Sequence, residues 1–351
     1  MQKGCDLMEH FSNAIFTLVS WIMSLLMSFG AITTPATNDY IKQINDDANL
    51  KMIITGDPQV CNYNPSRETH LIALSQDVMN AQTELDAFIV AGDIAENGFQ
   101  DEFDRIYEDI KDINAKHFIM AAGNHDIRLR EYEQCKNRIL GFMNSLNDAE
   151  NAVDELSYAY EVNGYTFVVL ASDEAEFEEA YFTDARLQWL NLTLKEATAE
   201  GKPVFVITHY PLAEGHGLPN TWGSSDHQIT EKPADYERKV DYDYTGSIGS
   251  QSNEVYDILT SYKNVFFITG HLHTGFGYYT YQTIDAKNNV QGINVPSAGI
   301  DNKDGVYNNP GTGLYAEVTD SEVIFYARDF ENGKYLTTEQ FEEAIARFPI
   351  A

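Results

Sequence analysis

Five short apolar runs in this chain all stop in the same way. "KMIITGDPQ", "DAFIVAGD", "HFIMAAGNHD", "PVFVITHYP" and "NVFFITGHLH" each end in Asp, Asn, Gln or His, four of them directly after a Gly. A strand that is apolar on both faces must be covered on both faces, as a central strand of a helix-flanked parallel sheet is. The segments between the first three runs have helical character. "NPSRETHLIALSQDVMNAQTELD" offers Asn64 as a helix cap and Pro65 at the first helical position, and a second helical segment spans about 100–114. Strands alternating with helices make this an α/β chain. In such sheets ligands gather beyond the carboxyl ends of the strands, where the polar clusters stand.

The remainder extends the same plan. "YAYEVNGYTFVVLASD" predicts a hairpin turning at Asn163-Gly164, a pair suited to a tight two-residue turn. A helix over about 184–200 leads into the fourth run, and the polar residues 213–250 separate it from the fifth. A loop of that length inside a compact domain suits a lid over a site. "FGYYTYQTI", "VQGINVPSAG" and "GLYAEVTDSEVIFYARDFENGKY" predict antiparallel strands that close a sheet. With no internal repeat and no second core, residues 37–351 are expected to form one domain. Before it, residues 14–32 run for 19 positions without a charge. That is long for the apolar core of a signal peptide and near the minimum for a membrane span. Residues 1–36 are therefore expected to be an export signal or a membrane anchor. The domain would then be secreted or membrane-anchored, outside the cytoplasm.

Net charge is −31, from 54 acidic against 23 basic residues, which argues against a nucleic-acid duplex as partner because phosphate backbones are held by Lys and Arg. An anionic substrate would need local positive charge, and a bound metal could supply it. Cys5, Cys61 and Cys135, with no CxxC, are neither a disulfide framework nor a zinc ribbon. A Cys61–Cys135 bridge and free thiols both stay open.

The strand-end residues are Asp57 and Gln59, Asp93, Asn124 and His125, His209, and His271 and His273. Oxygen and imidazole donors brought to one rim could build a dinuclear centre, with a carboxylate in the shared position because each of its oxygens can reach one ion. The preceding glycines, Gly56, Gly92, Gly123 and Gly270, are expected to provide the sharp backbone turns.

The order GD…GDxxxxG…GNHD…H…GHxH resembles the calcineurin-like metallophosphoesterase family, over about residues 51–335. The resemblance implies a four-layer αββα sandwich, a single catalytic domain with two metal ions (Mn, Fe or Zn) at the sheet rim. By position, Asp57 and His273 would hold the first metal, Asp93 would bridge, and Asn124, His209 and His271 would complete the second. His125 would face the leaving group, oriented by Glu96. Where the family usually carries Asp-x-His, this chain has Asp57-Pro58-Gln59. Gln59 then reads either as an amide-oxygen ligand, marking a subgroup and favouring Fe or Mn over Zn, or as a hydrogen-bonding neighbour. The implied activity is hydrolysis of a phosphoester, on a small molecule or a phosphoprotein, by a phosphatase or phosphodiesterase. In it a metal-bridging hydroxide attacks phosphorus in line. The alternative is a catalytically silent relative used for binding or scaffolding. Arg128 and Arg130 read either as phosphate contacts or as solvated helix-face residues, the second preferred, and His216, Trp222 and His227 read as part of the lid.

Overall fold

The first three apolar runs become parallel neighbours: β1 (Leu50–Thr55), β2 (Leu85–Val90) and β3 (Ala115–Met120), with Phe88 opposite both Ile53 and Phe118. Every residue of β2 is buried, as a strand covered on both faces requires. Helices α1 (Pro65–Met79) and α2 (Gln100–Ile110) connect them, and α3 (Tyr132–Leu146), which the sequence reading does not anticipate, follows β3. Leu71, Leu74 and Val78 of α1, Phe103 and Ile106 of α2, and Ile139 and Phe142 of α3 are buried in one core with this sheet. Asn64 and Pro65 take the expected positions at the start of α1. The Asn64 side chain makes no cap bond to the backbone, however, and accepts from Ser66 Oγ at 2.6 Å instead. The structure is a computed structural model that describes residues 39–175, 179–213 and 247–351.

A second sheet begins with the hairpin of β4 (Tyr158–Val162) and β5 (Tyr165–Val169). Asn163 and Gly164 turn it at φ of 52° and 76°, as predicted. Next come β6 (Val204–Ile207) and β7 (Val265–Thr269), both parallel to β5, with α4 (Asp184–Ala197) and α5 (Ser252–Thr260) packed outside. Alternation along the strands divides the burial. Val204, Val206, Val265 and Phe267 pack with Leu190, Leu194, Val255 and Leu259 of the helices. Phe205, Ile207, Phe266 and Ile268 point the other way, into the core shared with the first sheet.

The C-terminal strands do not close a single antiparallel sheet, as the sequence suggested. β8 (Tyr281–Asp285) and β9 (Val290–Asn294) join the second sheet, with β9 parallel to β7. β10 (Thr312–Val318), β11 (Glu322–Asp329), β12 (Lys334–Tyr335) and β13 (Ile345–Pro349) join the first, where β10 pairs antiparallel with β1. The strand orders are β12-β11-β10-β1-β2-β3, with β13 also on β11, and β4-β5-β6-β7-β9-β8. Phe266 of one sheet and Phe325 of the other meet with ring centroids 6.1 Å apart. The layers run helices, sheet, sheet, helices, the expected αββα sandwich. Cys61 and Cys135 are free and buried. The apolar stretch 14–32 and residues 214–246 of the segment 213–250 expected to form a lid lie outside the described residues, among which no helix is long and apolar enough to cross a membrane.

Two polar features of this frame generate tests. Arg328 of β11 is fully buried, with its guanidinium on both carboxylate oxygens of Asp77 in α1, at 2.6 and 2.9 Å. Asp77→Ala leaves that cation unpaired in the core and should cost about 3–5 kcal/mol in urea unfolding; a loss below about 1 kcal/mol would contradict the pairing. Asp109, at the end of α2, has its carboxyl raised to about 6 by burial and by the charge of Glu68. A carboxyl whose folded pKa is raised destabilises the fold above that pKa, and the cost fades as pH falls toward the unfolded value. Asp109→Asn should therefore raise the melting temperature at pH 7, with an advantage that shrinks by pH 5. A constant advantage would exclude the titration.

Candidate metal centre

All five polar clusters lie at carboxyl ends of parallel strands. Asp57 and Gln59 follow β1, Asp93 follows β2, and Asn124 and His125 follow β3 in a single helical turn. His209 follows β6, while His271 and His273 follow β7, so the two sheets contribute from opposite sides. Backbone bonds fix the loops to one another: Asp57 N–H donates to Gly92 O and Gln59 N–H to Asp93 O, both at 3.0 Å.

The sharp turns fall on the polar residues more than on the glycines before them. Asp57, Gln59, Asp93, His271 and His273 have φ between 42° and 71°, the left-handed region that costs a side chain energy, and of the four preceding glycines only Gly92 shares it. Gly123 and Gly270 are needed for space. A Cβ on Gly123 would collide with Asp93 Oδ1, and one on Gly270 would lie 2.5 Å from Asp57 Oδ2.

Donor atoms of Asp93, His209 and His271 lie within 4.8 Å of one another, and so do those of Asp57, Asp93 and His273. Asp93 belongs to both groups. Asn124 Oδ1 is 3.2 Å from His209 Nε2, so it borders the first group. Gln59 borders Asp93: its Nε2 donates to Asp93 Oδ2 at 3.0 Å, and its buried Oε1 has no hydrogen-bond partner among the described residues. A buried amide oxygen without a donor is available to a cation, while the Nε2 bond to Asp93 also fits the hydrogen-bonding role. His209 Nδ1 lies 3.0 Å from Ala91 O, a contact that fixes the ring and turns Nε2 toward Asp93 and His271.

The electrostatics ask for positive charge. Burial opposes ionisation of Asp93 most strongly, yet His209 and His125 hold its carboxyl far below the usual range. Burial likewise works against a charged His209, but Asp93 wins and lifts it to about 9. Burial and the neighbouring His209 together push His271 well down. An ionised Asp93 beside an imidazole that resists protonation is a donor set for metal ions, and cations there would replace the proton that His209 otherwise keeps.

His125 stands beside this group. Its N–H donates to Asp93 Oδ1 at 2.9 Å, and its Nδ1 lies 2.9 Å from the Glu96 carbonyl and 3.3 Å from Glu96 Oε2. Glu96 thus holds the ring with backbone as well as carboxylate. Burial disfavours an ionised Glu96, but hydrogen bonds to His125 and Tyr63 and the Arg67 charge bring its pKa down to about 2. Burial also opposes a charged His125, while Asp93 and Glu96 raise it above its ordinary value.

Other residues of the site went unread in the sequence. Asp126 accepts the N–H groups of Ile94, Ala95 and Gly123, at 3.2, 2.8 and 2.9 Å, and so ties the β2 loop to the β3 loop. The surplus Asp of "GNHD" was its only sign. Arg67 bonds both Gln59 O and Glu96, and Tyr63 bonds Glu96 Oε1; no motif marks either. Arg128 is not solvated as expected: it is largely buried, 3.6 Å from Glu96 Oε1. Arg130 lies over the Phe99 ring at 4.8 Å.

Comparison with known proteins agrees with this fold. The sequence profile of calcineurin-like phosphoesterases matches residues 50–275. A dimetal phosphatase from Danio rerio shares the fold with a TM-score of 0.55 at 16% identity, covering 87% of this chain and 100% of that one. A purple acid phosphatase from yellow lupin (Lupinus luteus) seeds gives a TM-score of 0.55 at 15% identity over 82% of this chain. This chain spans 52% of the lupin protein's length. A search of curated protein sequences returned no match.

The close approach at Gly123 can be tested directly. Mn²⁺ should raise the melting temperature of the natural protein, by about 2.7 kcal/mol of stabilisation at a hundredfold excess over Kd, and should not raise that of Gly123→Ala. Equal shifts in a folded variant would contradict the packing of Gly123 on Asp93.

Proposed function

The chain belongs to the calcineurin-like phosphoesterase family, and we propose that it is a metal-dependent phosphatase or phosphodiesterase working with two metal ions. The observation that carries this reading is the membership of Asp93 in both donor groups. Asp57, Gln59 and His273 would complete one site, and Asn124, His209 and His271 the other, with Asp93 common to both. The first set is rich in oxygen donors and has one imidazole, which suits Mn or Fe better than Zn. When bound, the two ions supply charge that ionises water near neutral pH and offsets the negative phosphoryl oxygens.

The protein's own groups then have separate tasks. Asp93 and Asp57 receive backbone support, from His125 N–H to the Asp93 carboxylate and from His271 N–H to the Asp57 carboxylate. Strained loops with such support keep their geometry without reorganising. His125, whose pKa the neighbouring Asp93 and Glu96 raise against its burial, is placed to donate a proton to the departing oxygen. The Glu96 carboxylate and carbonyl at Nδ1 leave Nε2 for that transfer. A phosphoester of a small molecule or a phosphoprotein is the substrate, and charge at the site explains how so acidic a chain accepts an anion.

Release of phosphate or of p-nitrophenol from mono- and diesters, with Mn²⁺ or Fe²⁺ supplied, tests the proposal; folded, metal-loaded protein without turnover on either class would refute it. His125→Ala should lower kcat about 10²- to 10⁴-fold on an alkyl ester, whose leaving oxygen needs the proton, and far less on the p-nitrophenyl ester. Equal losses on both would remove the proton-donor role.

A further inference from the structure

Tyr63 is the most exposed large hydrophobic side chain among the described residues, at 67%. It is nevertheless tethered, because its hydroxyl donates to Glu96 Oε1 at 2.9 Å. The other oxygen of that carboxylate stands 3.3 Å from His125 Nδ1. An uncovered planar ring is thus anchored through one carboxylate to the histidine assigned to the leaving group. The loop that carries it is held on both sides. Cys61 is buried, Asn62 donates to Asp101 at 2.6 Å and accepts from Arg105 at 2.5 Å, and Arg67 bonds Glu96 and Gln59 O.

A ring left in water forfeits the gain that burying it would bring, and fixing its hydroxyl costs it further freedom. Both costs are recovered when a ligand covers the ring, and the prior ordering lowers the entropy lost on binding. We propose that Tyr63 is a specificity-determining residue, stacking on the planar aromatic leaving group of the substrate, an aryl or nucleoside phosphoester. The proposal rests on the phosphoesterase reading above. The Glu96 carboxylate that holds the ring's hydroxyl disfavours a leaving group with further negative charge and suits a neutral aromatic one.

The test is calorimetric binding of phenylphosphonate and ethylphosphonate to the Mn²⁺-loaded full chain, which needs no turnover. The natural protein should bind the phenyl compound about fivefold to tenfold more tightly, a ratio typical of one aromatic stacking contact. Tyr63→Ala should remove that preference and leave ethylphosphonate affinity within about twofold. Tyr63→Phe, which keeps the ring and loses the tether, should keep part of it. An unchanged ratio in Tyr63→Ala overturns the proposal, and so does an equal loss for both ligands, which would make the residue a structural support of Glu96. If neither compound binds the natural protein, the phosphoesterase reading itself fails and the assignment of Tyr63 falls with it.

Discussion

The site depends on burying two carboxylates, Asp57 and Asp93, out of contact with water. Both are buried where the strand ends of the two sheets meet. Ions taken from water carry a penalty of several kcal/mol each unless charge and hydrogen bonds replace their hydration. His209, His271 and His273, together with the backbone N–H groups of His125 and His271, are the replacements present. The glycines that admit the carboxylates and the left-handed backbone that aims them follow from the same need. The sandwich tolerates those costs because the strands beneath are buried on both faces and shift little under local strain.

What could be read in advance was what is local in sequence. The apolar runs and their polar ends are contiguous, so five strands and eight candidate site residues could be named, and Asn163-Gly164 marked its own hairpin. Sheet partition was not legible. β9 and β10 are similarly apolar, and only packing between distant segments decides that one lies beside β7 and the other beside β1. Helix α3 was missed because its charged start, "EYEQCK", directly follows the site loop and resembles a solvated connection.

Within the site, the residue types were legible and their conformations were not. Left-handed backbone is normally signalled by Gly or Asn, whereas here Asp, Gln and His adopt it. Asp126 does its work on backbone N–H groups, a role that leaves no pattern of side-chain types. Arg67, Tyr63 and Arg128 reach Glu96 from separate stretches of chain, so their convergence exists only in three dimensions. The family resemblance carried the metal-facing half of the site. The contacts of Arg67, Tyr63 and Arg128 with Glu96 had to come from the structure.

The most direct measurement is an anomalous difference map, recorded at the manganese edge, from crystals of the full chain grown with Mn²⁺. Two peaks about 3.5–4 Å apart are predicted, both touching Asp93, one also contacting Asp57 and His273 and the other His209 and His271. A single peak, or peaks away from Asp93, would contradict the shared-carboxylate centre on which the functional account stands.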